Sequence, residues 1–152
     1  MSFDGITKET TSEVIANDGF YPALAAQDFI NIYHAPSNFL GELIIEQIAL
    51  AMIHINSLVA PFAQCHWDEY ETLDKVPALK VNNKSVLISH YQKAVFSRAK
   101  AKLLLSKQSI DQRDVAKAQQ QDLSDNEAYW LNESLAAVNA MTAQKYQPFE
   151  LL

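Results

Sequence analysis

The stretch FLGELIIEQIALAMIHINSLVA, residues 39–60, constrains the fold more than any other part of the chain. Its apolar side chains recur at helical spacing and cover more than one face, as in a helix that is central or also meets another subunit. It is long enough to span a bilayer. However, Glu42, Glu46 and His54 interrupt it, and each buried acid would cost about 2.5–3.5 kcal/mol on insertion. We therefore predict a buried helix over about 38–59, ended by Pro61, and no membrane partner.

The composition is typical of a single small helical domain. The chain has 152 residues, of which 49% are hydrophobic and 20% charged, a globular balance. Three glycines are too few for a β fold with many tight turns. One cysteine excludes an internal disulfide framework. The first residues show neither the basic nor the apolar region of a secretory signal.

Helical periodicity predicts three further helices. A short one over 27–34 ends before Pro36, because the residue before a proline avoids the α region. A long one over about 84–107 follows the turn signal Asn82-Asn83. The last begins at a capping box, Ser124 with Glu127, and runs to about 144. The predicted fold class is all-α: a small helical bundle of three long helices plus one short helix, with extended N- and C-terminal arms.

The expected organisation has three parts: an N-terminal arm at 1–26, a helical domain at 27–145 and a C-terminal arm at 146–152. The N-terminal arm lacks a continuous apolar pattern, so we expect residues 1–18 to be mobile. Residues 108–122 are polar and glutamine-rich and form a connector. The predicted core contains Leu43, Ile48, Val95, Ala99, Leu131 and Val138, with Leu135 on the same inward face of the last helix.

Positive charge is concentrated on one segment of an otherwise acidic chain. Residues 84–117 hold eight basic and two acidic side chains, whereas the rest holds four and sixteen. Helical spacing predicts two exposed rows that folding does not need: Lys93, Lys100 and Lys107 on one, Arg98 and Lys102 on the other. These five are the candidate contacts with DNA or a partner. The pattern allows a phosphate-binding surface, a solvated face, or docking on the negative face of another subunit.

Residue patterns that support catalysis are missing from the sequence. There is no HExxH, P-loop, GxGxxG or GxSxG motif. No pair among the four histidines has the three- or four-residue helical spacing of metal ligands. We therefore predict no catalytic residue, no metal site, no cofactor-binding residue and no cofactor.

Several short motifs occur in a telling order. Asn56-Ser57-Leu58 lies near the end of the apolar helix, and the Leu-x-x-Val-Pro of residues 73–77 precedes the basic helix. Tyr91, Ala94 and Val95 form Tyr-x-x-Ala-Val, and Trp130 precedes Ala137-Val138 by seven residues. Together, residues 18–152 resemble the head-completion (head-stabilisation) protein family of contractile-tailed temperate phages. The connector departs from the family, because glutamines stand where the family tends to have a glycine and aromatic residues.

The resemblance implies a non-enzymatic virion assembly protein. Such a protein joins the portal of a DNA-filled head, stabilises packaged DNA and provides the tail attachment surface. The implied partners are further copies in a ring-forming homo-oligomer, the portal protein, a tail-completion protein and packaged double-stranded DNA, bound non-specifically. The implied location is the head-tail junction of the virion, and the host cytoplasm before assembly. The alternatives are a small nucleic-acid-binding regulatory protein that uses the basic helix 84–107, and a small helical enzyme.

Overall fold

The computed structural model describes residues 13–35, 41–110 and 126–143, with only the helical backbone for 107–110. These residues form four α-helices: α1 (Ala26–Tyr33), α2 (Gly41–His66), α3 (Val86–Ile110) and α4 (Glu127–Thr142). Two short antiparallel strand pairs accompany them, β1 (Val14–Ile15) with β2 (Leu24–Ala25), and β3 (Lys80–Val81) with β4 (Lys84–Ser85). The prediction of an all-α fold with three long helices and one short helix is confirmed.

Helix α3, the predicted basic helix, lies at the centre of the bundle. On one side the hydroxyl of Tyr91 donates to Asn56 of α2 at 2.6 Å. On another side the ring of Phe96 stands edge-on to that of Phe29 of α1, with centroids 5.3 Å apart. Helix α4 packs along a third side. Because three helices surround α3, its side chains up to Ser106 form no broad solvent-exposed face.

Helix α4 approaches α3 through small side chains. Ser134 and Ala137 are buried, and the Ser134 hydroxyl donates to the carbonyl of Ala94 at 2.7 Å. The distance between packed helices depends on the side chains at the contact, so small residues allow this close approach. The prediction that Leu135 faces inward is wrong, since it is 52% exposed. The inward face is rotated toward Ser134, and Leu131 lies half-buried at its edge.

Helix α2 continues past Pro61 to His66, so the prediction that Pro61 ends it is wrong. A proline removes one helical hydrogen bond, here to the carbonyl of Ser57. Both residues are exposed, so water can satisfy that carbonyl. By length and composition alone, α2 is the described helix that could cross a membrane, a property that apolar core helices share. Its core face consists of Ile44, Ile48, Ala51, Met52, Ile55 and Val59.

Residues 13–25, expected to be part of an extended arm, contribute to the core. Strands β1 and β2 pair there, and Ile15, Tyr21 and Leu24 are buried. The turn between the strands places Gly19 at φ 96°, a conformation that glycine adopts without steric cost. Residues 1–12 and the predicted C-terminal arm at 146–152 lie outside the described residues.

Local polar signals explain how β4 and α4 begin. Asn82 and Asn83 have φ values of 56° and 61°, as a two-residue type I′ hairpin turn between β3 and β4 requires. The turn predicted at this position is confirmed. The Asn126 side chain accepts a hydrogen bond from Ala128 N at 2.7 Å and caps α4. Ser124, the predicted cap, lies outside the described residues.

A closed hydrogen-bond triangle ties the N-terminal segment to α2 and α3. Asn17 Nδ2 donates to the Tyr91 hydroxyl at 2.8 Å. Tyr91 donates to Asn56 Oδ1, and Asn56 Nδ2 donates back to Asn17 Oδ1 at 2.9 Å. The Tyr91 ring is fully buried, and this burial raises the pKa of its hydroxyl well above its usual range. The triangle therefore satisfies polar groups whose burial would otherwise be costly.

The predicted core is largely correct. Ile48, Val95, Ala99 and Val138 are buried, while Leu43 and Leu131 are half-buried. Leu43 packs against the buried cluster. The core thus joins α2, α3 and α4 around the central helix.

Candidate functional site

The predicted basic rows do not form one exposed surface. Lys100 is buried, whereas Lys93, Arg98 and Lys102 are partly exposed in the seams between α3 and its neighbours. The side chain of Lys107 lies outside the described residues. The four described residues therefore have to be considered by the helix that each one faces.

Lys100 caps the carboxyl end of α1. Its ammonium donates to the carbonyls of Tyr33 at 2.7 Å and His34 at 3.1 Å, and it lies 6.0 Å from the Trp130 ring. A helix end exposes carbonyls with partial negative charge, which a cation stabilises. Lys100 is only 6% exposed, so its predicted place in an exposed row is wrong. Its long aliphatic stem allows this burial.

Lys93 links α3 to α4 at the surface. Its ammonium lies 3.3 Å from Glu133 Oε1, and the two side chains are 42% and 35% exposed. The same ammonium lies 6.0 Å from the centre of the Tyr33 ring. Partly exposed ion pairs typically contribute about 0.2–1 kcal/mol. Lys93 therefore forms a weak ion pair within the chain.

Arg98 and Lys102 lie one helical turn apart beside His54 of α2. Burial lowers the pKa of His54, and the positive charges of Arg98 and Lys102 lower it further. We name Arg98, Lys102 and His54 the α2–α3 basic patch. Such a patch attracts anions, since it combines two cations with a histidine that can take up a proton. No sequence pattern pointed to His54, because it belongs to a different helix.

The outer side of α2 carries exposed apolar residues. Leu50, Ile53 and Leu58 are 50%, 63% and 48% exposed, and we name them the α2 outer stripe. Leu50 and Ile53 lie three residues apart and are neighbours on the helix surface, whereas Leu58 lies farther round the helix. Neighbouring exposed apolar residues can mark a contact site. The stripe is therefore a candidate protein contact.

A cavity of about 260 Å³ opens between the turn after β1, the second half of α2 and the turn that follows it. Its lining includes Asp18, Phe20, Tyr21, Asn56, Trp67 and Asp68, and we name it the aspartate pocket. Its residues come from three separate parts of the chain, and no motif in the sequence indicated that they would meet.

The described residues include no group of three or more His, Cys, Asp and Glu that could hold a metal ion. Cys65 is exposed on α2, and burial lowers the pKa of His90. The described residues therefore offer charged and apolar contact surfaces as candidate binding sites.

Comparison with known proteins places this architecture in a family. Residues 15–152 match the family model described as Phage head completion protein (GPL). The chain belongs to the phage head completion protein family. It is 23% identical over 144 residues to the "Probable head completion/stabilization protein" of Haemophilus phage HP1 (strain HP1c1), covering 94% of this chain and 95% of that relative. No solved structure matches the chain.

Membership confirms the resemblance predicted from the motifs and gives the chain a role in phage assembly. The residues of the Tyr-x-x-Ala-Val motif and of the Trp130 and Ala137-Val138 motif pack inside the chain, whereas Ser57 and Leu58 are exposed. Tyr91, Ala94 and Val95 are completely buried, and Trp130 stands edge-on to Tyr33 with centroids 5.6 Å apart. These two motifs therefore belong to the packed interior of this chain and leave its contact surfaces unspecified.

Proposed function

We propose that this chain is a virion assembly subunit that completes DNA-filled phage heads at the head-tail junction. There it joins the portal, stabilises the packaged DNA and offers a surface to the tail-completion protein. The family match over residues 15–152 carries the proposal. The name of the relative in Haemophilus phage HP1, which refers to head completion and stabilisation, supports it. The role requires binding and no catalytic step.

Within this role, the α2–α3 basic patch is the proposed contact with packaged DNA or an acidic partner face. Arg98 and Lys102 are both partly exposed, as a phosphate contact requires. Lys93 and Lys100 already have contacts within the chain. A bound phosphate would favour the protonated form of His54. Binding is therefore expected to take up a proton and to strengthen as the pH falls.

Changing Arg98 and Lys102 together to Gln is expected to lower the yield of nuclease-resistant, DNA-filled heads. The test is complementation of a phage that lacks the gene. The free energy of unfolding should change by less than about 0.5 kcal/mol per site, as is usual for surface residues. The melting temperature should therefore stay nearly constant. The matched control is Lys75 and Lys80 to Gln, because both lysines are exposed outside α3.

Full complementation by the Arg98/Lys102 variant would contradict the assignment of the patch. An equal loss of DNA-filled heads in the Lys75/Lys80 control would show that the yield depends on overall charge and not on the patch. Tight, strongly salt-dependent binding of the isolated wild-type chain to free DNA, lost in the variant, would favour the alternative of a nucleic-acid-binding regulator.

The proposal includes self-association into a ring through the α2 outer stripe. A ring contact joins two different faces of neighbouring copies, so a second complementary patch is needed. Leu79 and Val81, next to and within β3, are 72% and 68% exposed and form a separate apolar set. Two unlike apolar surfaces on one subunit support head-to-tail association with a second copy.

Changing Ile53 to Glu is expected to weaken self-association and leave folding intact, because a charge would have to be desolvated at the contact. Sedimentation of the wild-type chain should show association that increases with concentration, and the variant should remain closer to monomer. Leu135→Glu is the control, since Leu135 is 52% exposed on α4. A wild-type chain that stays monomeric at every concentration, alone and with its portal, would refute the ring.

A further inference from the structure

The aspartate pocket has a size that restricts its occupant. Its volume is about 260 Å³, slightly below the roughly 300–1,000 Å³ of pockets that hold drug-sized ligands. It lies at the surface between the turn at 18–21, the second half of α2 and the turn at 67–70. A single long side chain from another protein fits these dimensions.

The lining of the pocket combines negative charge with aromatic faces. Asp18 and Asp68 both contribute to it, and the rings of Phe20 and Trp67 are stacked at 6.1 Å between centroids. Burial, together with the negative charge of Asp18, raises the pKa of Tyr21 to about 12. Carboxylates and aromatic faces share one ligand preference, since each attracts a cation.

The walls of the pocket are held in place before any ligand arrives. Asp18 Oδ1 accepts hydrogen bonds from the backbone N–H groups of Phe20 and Tyr21, both at 3.0 Å. Asn56 is fixed by the hydrogen-bond triangle, and Tyr21 stacks on Tyr91 at 4.8 Å. A preorganised site loses little conformational freedom on binding.

We propose that the aspartate pocket binds an arginine side chain of a partner protein. A guanidinium is planar, so it can stack on an aromatic ring while its forked N–H groups donate to carboxylates. A lysine ammonium is a compact point charge that cannot do both with the same geometry. The pocket lies against the carboxyl-terminal half of α2. It is separate from the α2–α3 basic patch. Arginine binding in this pocket does not rest on the proposed role in head completion.

The test is an NMR titration of the folded chain with acetyl-arginine-amide. We expect saturable shifts at the backbone amides of Asp18 and Gln64 and at the Trp67 indole. Acetyl-citrulline-amide is the matched probe, because it has nearly the same shape without the charge. The double variant Asp18→Asn/Asp68→Asn should bind at least about tenfold more weakly, as expected when charge-assisted contacts are lost. The asparagine that replaces Asp18 keeps an oxygen that can accept the two backbone hydrogen bonds.

Glu71→Gln is the control for overall charge, since Glu71 is exposed and does not line the pocket. Equal shifts with the citrulline probe, shifts located elsewhere, or unchanged affinity in the double variant would each overturn the proposal. A melting curve for each variant shows whether the chain remains folded. Because the probe is an isolated amino-acid derivative, the result stands independently of the complementation experiment.

Discussion

Replacing Lys100 with Met is expected to destabilise the chain by roughly 2–3 kcal/mol, since hydrogen bonds to charged groups contribute about 1.5–3 kcal/mol. Met has a similar length and fills the same space, but it cannot donate to the carbonyls of Tyr33 and His34. The carboxyl end of α1 then loses its cation. For a chain of this size, the melting temperature should fall by about 5–10 °C.

Lys102→Met is the matched control, because it makes the same chemical change half a turn along the same helix. It should shift the free energy of unfolding by less than about 0.5 kcal/mol. Urea unfolding of both variants, followed by circular dichroism, measures the difference. Equal stability of the Lys100 and Lys102 variants would show that Lys100 does not act as a cap.

Replacing Tyr91 with Phe is expected to cost about 1–3 kcal/mol, the typical penalty for leaving buried polar groups without a partner. The variant keeps the ring that stacks on Tyr21 at 4.8 Å. It removes the hydroxyl that accepts from Asn17 and donates to Asn56. Tyr129→Phe is the control, since Tyr129 is 39% exposed on α4 and should tolerate the change.

The same variant should change how stability depends on alkaline pH. Burial raises the folded-state pKa of Tyr91 above the unfolded value of 10.0, so its contribution is complete below about pH 10. As the pH rises further, the unfolded chain loses the Tyr91 proton first, and stability falls. The difference in the free energy of unfolding between wild type and Tyr91→Phe should therefore shrink between about pH 10 and 12. Urea unfolding at a series of pH values measures it. A constant advantage across that range would contradict the buried, protonated state of the hydroxyl.

The helices could be predicted because their signals are local. The short helix predicted at 27–34 is found at Ala26–Tyr33, and the turn at Asn82-Asn83 follows from two side chains that tolerate positive φ. The N-terminal segment at 13–25 carries no such signal. Its strands contain two residues each, too few to show a period, and its contacts depend on partners far along the chain.

The packing of each helix was harder to predict than its existence. Hydrophobicity placed Leu135 inside, but a close approach of α3 and α4 favours the smaller Ser134. Charge placed Lys100 outside, but the carbonyls of α1 compensate its burial. Both errors have one cause: a partner helix decides which residue fits, and the sequence of a single helix does not contain that partner.

At the candidate site, Arg98 and Lys102 could be singled out by charge and spacing, whereas the residues that the fold places beside them could not. The motif residues Tyr91, Ala94 and Val95, on which the predicted resemblance rests, are buried in the core of this chain. The α2–α3 basic patch requires His54 to meet Arg98 across two helices. The aspartate pocket requires Asp18 to meet Trp67 and Asp68. Such juxtapositions arise from the tertiary fold and leave no regular spacing along the chain.

The central position of α3 also affects how fast the chain could form the contacts proposed for it. The buried side chains of α3, such as Tyr91 and Phe96, find their contacts on α1, α2 and α4 of the same chain. The described helices therefore need no neighbouring molecule to finish their core. In the proposed assembly, these described helices would dock as a nearly rigid body, with adjustments mainly of side chains. For this part of the chain, diffusion and orientation would then limit the association rate, because the described helices need no folding step during the encounter.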